Sequence, residues 1–291
     1  MILKCSRDTF NFSYFAQTAT KMYLTKNVNG VEICYDQAGF ACTPPIVLVS
    51  GYAHDMRLYD RMVPLLVPKH SIVRINWRGH SINRDYEEEF GVEDQVADMI
   101  AMFKELGIDK FYLVAHSHGG WAALELADTL GKERVLALLM IDQIMTAPPP
   151  PFQAGLKEIQ DPKIWNVARH SLFENWLSGS TNKHVIDHMA YSMGSFGFHM
   201  WSLSCKIIDK AYKTHHSPMS RMKKITTPPP IRHVFSHPLH SPEYRKIHEE
   251  FSKENQWFTY KDVEGETHFP NVEVPERVVE QLEDLISSAL A

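Results

Sequence analysis

The 291 residues suffice for one or two domains with a large buried core. At 44% hydrophobic and 22% charged, with 30 basic against 35 acidic side chains and a net charge of -5, the chain has an ordinary globular composition with no global attraction for nucleic acid or an anionic membrane. No stretch approaches the roughly 18 uninterrupted apolar residues of a membrane helix, and Cys5, Cys34, Cys42 and Cys205 have neither C-x-x-C spacing nor disulfide-scaffold density, which points to reduced thiols and a cytoplasmic location.

In chain order, residues 1–20 read as an extension outside the main fold, because Asp8, Asn11, Ser13 and Gln17 interrupt any apolar run long enough for a secretory signal. Residues 21–28 and 31–35 flank Asn29-Gly30, the pair that supplies the positive φ angles of a type I′ hairpin turn. Residues 45–49 are apolar and β-branched, as in a strand buried on both faces. Residues 57–66 have helical spacing, 71–77 read as a strand, and 93–106 as an amphipathic helix capped by Gly107. A strand at 111–115, a helix at 121–130 and a strand at 135–141 follow. The prolines at 148–151 should take the chain out of the core. A helical stretch rich in tryptophan, phenylalanine and methionine occupies the span to about residue 224, and strands at 231–235 and 257–263 with helices at 243–251 and 275–290 complete the chain. Strands alternating with helices predict a doubly wound α/β sheet, with a core over 21–147 and 225–291 and an inserted helical cap over 148–224.

The chemistry is expected at the carboxyl ends of those strands. Ser117 follows one strand and precedes a helix, flanked by Ala115 and Gly119 where a nucleophile elbow of the α/β-hydrolase type has small residues. That fold places its catalytic groups in the order serine, acid, histidine, and His268 stands in the loop after the last strand. No carboxylate follows the strand at 231–235 before Glu243, so Asp142, one strand earlier, is the better acid. It would fix the His268 tautomer and stabilise the imidazolium. The backbone N–H groups of His118 and Tyr52 are candidate oxyanion donors. Sixteen histidines raise the question of a metal, but His184/His188, His215-His216 and His237/His240 match no H-E-x-x-H or 2-His-1-carboxylate pattern. No G-x-G-x-x-G follows a strand, which argues against a dinucleotide.

The string His116-Ser117-His118-Gly119-Gly120-Trp121, with residues 76–80 (Asn-Trp-Arg-Gly-His) before it and 231–236 (Ile-Arg-His-Val-Phe-Ser) after it, resembles the cofactor-free 2,4-dioxygenases of 3-hydroxy-4(1H)-quinolones. Residues 173–177, 217–219 and 267–270 are similar to that family too, so the likeness runs from about Tyr23 to the C-terminus. The resemblance implies ring cleavage by O₂ without metal or flavin, releasing carbon monoxide and an N-acylanthranilate. In it His268 with Asp142 is the base for the 3-hydroxyl proton, Ser117 a hydrogen-bond partner of the substrate, and Trp176 and His54 pocket residues. His116 and His118 orient Ser117 or shape the pocket.

Two positions depart from the family. Tyr52 and Thr146 stand where tryptophan is usual, which predicts a roomier site for a C2 substituent larger than methyl, such as an alkyl chain. Two other readings use the same residues: a serine esterase or amidase with Ser117 as nucleophile, and a non-catalytic small-molecule receptor.

Overall fold

A computed structural model describes residues 23–39, 44–81, 86–236, 239 and 241–290. The extension at 1–20, Cys5, Cys42, His237 and His240 lie outside them. Strands Leu24–Val28 (β1) and Val31–Ala38 (β2) form an antiparallel hairpin, with φ of 50° at Asn29 and 79° at Gly30 in the turn. Next come Ile46–Val49 (β3), Ile72–Ile75 (β4), Phe111–His116 (β5), Val135–Ile141 (β6), Ile231–Phe235 (β7) and Phe258–Asp262 (β8). The sheet order is β1-β2-β4-β3-β5-β6-β7-β8. β2 meets β4 antiparallel, and all pairings from β4 to β8 are parallel.

Every residue of β3, β4 and β5 is buried, because helices cover both faces and successive side chains alternate between them. The one-turn helix Val63–Leu66 (α1) lies on one face with Ile46, Leu48 and Val114. Helices Val92–Leu106 (α2) and Gly120–Leu130 (α3) take the other, with Val47, Val49 and Leu113. Gly107 ends α2 in the left-handed region at φ 67°.

Between β6 and β7 lie Pro150–Ile159 (α4), Trp165–Leu177 (α5), Lys183–Asp187 (α6), a π-helical turn at His188–Ser192, Phe198–His215 (α7) and Pro218–Met222 (α8). Pro242–Glu254 (α9) joins β7 to β8, and Pro270–Glu273 (α10) with Pro275–Leu290 (α11) closes the chain, α11 packing on the α1 face. No helix among the described residues is long and apolar enough to cross a membrane.

Two expectations need correction. The helix read at 57–66 is instead a 3₁₀ turn, Met56–Tyr59, followed by α1. Pro64 has no N–H and tolerates only the first turn of a helix, so it starts α1 rather than continuing an earlier helix. The proline run does not only interrupt structure: Pro150 and Pro151 occupy the first positions of α4, where the missing N–H costs nothing.

Candidate active site

β5 delivers Ser117 at φ 50°, a left-handed conformation that costs a non-glycine residue about 1–3 kcal/mol and lifts its hydroxyl out of the turn. The glycines after it permit this by close approach. A Cβ on Gly119 would lie 2.1 Å from the Ser50 carbonyl oxygen, and one on Gly120 would lie 1.9 Å from Gln143 Oε1. The Gly119-Gly120 pair is thus a packing requirement of the elbow.

His268 Nε2 lies 2.9 Å from Ser117 Oγ, and His268 Nδ1 lies 2.7 Å from Asp142 Oδ1. Asp142 directly follows β6 at φ 50°, and its other carboxylate oxygen accepts the Ser236 N–H at 2.8 Å. The chain after β7 therefore donates to the carboxylate where other members of the fold supply one. All three side chains are buried. Burial pushes the His268 imidazole below its ordinary pKa and keeps it neutral at rest, while the adjacent carboxylate works the other way and stabilises the imidazolium once a proton arrives. With Nδ1–H directed at Asp142, Nε2 is the free base position.

The loop bearing His268 is clamped from two sides. Its backbone N–H donates to the Trp176 carbonyl at 2.9 Å, and the Trp176 ring stacks on the imidazole at 4.9 Å. Its carbonyl oxygen accepts from His116 Nε2 at 2.9 Å, which leaves His116 Nδ1 buried without a partner. Desolvation holds His116 well below its usual pKa, so it is a neutral strut.

Tyr52 and His54 lie in the loop after β3, and residues 76–80 hold that loop. Trp77 Nε1 donates to the Ser50 carbonyl at 2.7 Å, Asn76 Oδ1 accepts the Met56 N–H at 2.7 Å, and His80 Nε2 accepts the Ala53 N–H at 2.9 Å. Ala53 itself is at φ 55°. Replacing His80 by leucine should orphan that buried N–H, lower stability by about 1–3 kcal/mol and reduce kcat/KM through the loosened loop; urea unfolding beside steady-state kinetics checks both. The Tyr52 hydroxyl donates to Gln95 Oε1 at 2.8 Å, which ties the loop to α2. His54 Nδ1 lies 3.3 Å from His188 Nε2, and burial holds both rings neutral.

A narrow cavity of about 20 Å³ separates this floor from the helices above. Tyr52, His54, Ser117 and His118 line its lower side, and Phe152, Leu156, Leu172, Trp176, Trp201 and Ile208 give the upper side a largely apolar surface, interrupted by Ser204 and Cys205. Thr146 is not part of it. Its hydroxyl donates to the Ala147 carbonyl at 3.2 Å, on a segment already leaving for α4, so its small side chain adds no room to the cavity.

Sequence reasoning missed His188, Tyr212 and the buried pair His233/His248. His188 sits on the π-helical turn, buried against His54. His233 and His248 lie 2.9 Å apart, and His233 Nε2 accepts the Gln143 N–H beside Asp142. Among the described residues, no group of three or more His, Cys, Asp or Glu side chains is arranged to hold a metal ion.

An elbow serine of this geometry at the carboxyl edge of a mostly parallel eight-stranded sheet belongs to the α/β-hydrolase fold, and the alpha/beta hydrolase fold model matches residues 44–196. Within that fold, the chain belongs to the 3-hydroxy-4-quinolone 2,4-dioxygenases. It is 46% identical over 268 residues to the 2-heptyl-3-hydroxy-4(1H)-quinolone dioxygenase of Mycobacteroides abscessus, covering 92% of this chain and 99% of that one. It is 31% identical over 262 residues to the 1H-3-hydroxy-4-oxoquinoline 2,4-dioxygenase of Pseudomonas putida, covering 90% and 98%. A solved AqdC variant in complex with its substrate, from work on recognition and ring cleavage of the Pseudomonas quinolone signal, superposes with a TM-score of 0.89 at 45% identity over 92% of this chain and 100% of that one.

Proposed function

We propose that this protein opens the ring of a 2-alkyl-3-hydroxy-4(1H)-quinolone with O₂, without metal or organic cofactor, releasing carbon monoxide and an N-acylanthranilate. The observation that carries the reading is the chain Ser117–His268–Asp142 at the floor of a narrow cavity with a largely apolar roof, in a member of this family. His268 Nε2 takes the 3-hydroxyl proton, and Asp142 stabilises the resulting imidazolium. The substrate anion is then electron-rich enough to react with O₂ itself, so the protein's task is to hold that anion and exclude water. Ser117 hydrogen-bonds the substrate. Tyr52, His54 and Trp176 border the ring, and His116 and His118 hold the catalytic loop and the serine. The apolar roof suits an alkyl chain at C2, the substituent named for the Mycobacteroides abscessus relative. A cytoplasmic location agrees with Cys34 and Cys205, which are buried as thiols outside any disulfide.

Oxygen uptake and carbon monoxide release with 2-methyl and 2-heptyl substrates, in metal-free buffer, test the proposal. Preferential turnover of the heptyl compound is expected; equal or better use of the methyl compound counts against the alkyl assignment. The elbow geometry also suits an esterase, and Ser117→Ala separates the two activities. A dioxygenase should keep a measurable fraction of its rate, whereas a hydrolase that loses its nucleophile should fall by about 10⁶-fold.

A further inference from the structure

His118 brings a second imidazole to the Ser117 hydroxyl. Its Nδ1 lies 3.3 Å from Ser117 Oγ, and its Nε2 lies 3.3 Å from the hydroxyl of Tyr212 on α7. Tyr212 has one proton to give, and the Ile144 carbonyl at 2.9 Å can only accept it. The Tyr212 oxygen is therefore an acceptor toward His118, and His118 carries its proton on Nε2. Desolvation, reinforced by His268 and His116, pushes the His118 pKa down to about 3, so the ring is neutral and its Nδ1 is a bare lone pair. Phe152 lies parallel to the ring at 5.2 Å and fixes its plane. His268 presents a second bare nitrogen to the same hydroxyl at 2.9 Å. Ser117 thus has one proton and two acceptors.

We propose that His118 receives the Ser117 hydrogen bond during turnover and so frees His268 for the substrate, with Tyr212 as the positioning residue that sets the His118 tautomer; the functional half of this rests on the dioxygenase reading. The substrate's 3-hydroxyl proton must reach His268 Nε2, a position the Ser117 hydroxyl otherwise occupies. Rotation about Cβ–Oγ moves the Ser117 O–H to His118 and leaves no buried hydroxyl unsatisfied. The same rotation turns a Ser117 lone pair toward the imidazolium N–H that forms. One proton passes from the substrate oxygen to His268 Nε2, no bond to carbon is made, and Ser117 remains an alcohol. Denied His268 as its base, the serine is a poor nucleophile, which reconciles a hydrolase-like triad with oxygenase chemistry.

The test has two arms. Imidazole ¹⁵N NMR of the substrate-free protein, with His118→Asn identifying the signal, should show His118 protonated at Nε2; protonation at Nδ1 overturns the proposal. In the second arm, anaerobic protein is titrated across pH with 2-heptyl-3-hydroxy-4(1H)-quinolone, and the bound anion is read by absorbance. His118→Leu should raise the apparent pKa of bound substrate by about one unit, the effect of one hydrogen bond that must first be broken. That shift should vanish when Ser117→Ala is present in both proteins compared, and Tyr212→Phe should move the pKa in the same direction. Equal shifts with and without the Ser117 hydroxyl would mean that His118 acts only as packing, and would overturn the proposal. Failure of the unmodified protein to bind any anion would overturn the dioxygenase reading and the functional half with it, while the NMR arm still decides the tautomer.

Discussion

His268→Ala should lower kcat by about 10²–10⁴-fold with a much smaller change in KM, because in the proposed reaction the imidazole acts in proton transfer more than in holding the substrate. Of the two imidazoles at the Ser117 hydroxyl, His268 is the one backed by a carboxylate: Asp142 lies 2.7 Å from its Nδ1, whereas His118 is backed by a neutral phenol. A proton taken by His268 therefore meets a compensating charge, and one taken by His118 does not. Folding of the variant is supported by the remaining bond from the Ser236 N–H to Asp142. Oxygen uptake under saturating substrate gives the measurement. A rate within a few-fold of the parent protein would remove His268 from its assigned role.

The second large effect is on stability. His54, His116, His118, His188, His233 and His248 are all held neutral, with desolvation the leading cause for each. For His118 the pKa falls to about 3, and for His188 and His248 to about 4. Their unfolded counterparts titrate near 6.5, so below that pH the unfolded chain binds protons the folded chain refuses, and stability falls as pH falls. Each fully refused proton costs about 1.4 kcal/mol per pH unit, and six together cost about 8 kcal/mol per unit, comparable with a whole domain's stability. Denaturant unfolding at pH 7, 6 and 5 should show a steep loss before ordinary carboxylates titrate. A midpoint unchanged between pH 7 and 5 would contradict the neutral imidazole cluster.

Much of the frame was legible because it depends on local rules. Asn29-Gly30 can close a two-residue hairpin, Gly107 can end a helix in the left-handed region, and a continuous apolar run such as β3 needs cover on both faces. Chain order led to Ser117, Asp142 and His268, and the structure sets them within hydrogen-bonding distance. The motif at 76–80 was visible only as a resemblance; its physical role, three hydrogen bonds to the loop carrying Tyr52 and His54, needs the fold. The pairs His54/His188 and His118/Tyr212 bridge 134 and 94 residues of sequence, and no periodicity encodes such contacts. Thr146 misled for the same reason, since its volume was legible but its direction was not.

In the proposed reaction the protein ionises its substrate first and O₂ reacts afterward. Anaerobic mixing with 2-heptyl-3-hydroxy-4(1H)-quinolone in metal-free buffer, followed by admission of air, tests it most directly. An anion-type absorbance change is expected on binding, stable until air enters, then its decay with matched oxygen consumption and carbon monoxide release. Product formation without oxygen, or oxygen consumption with no preceding anion, would contradict it.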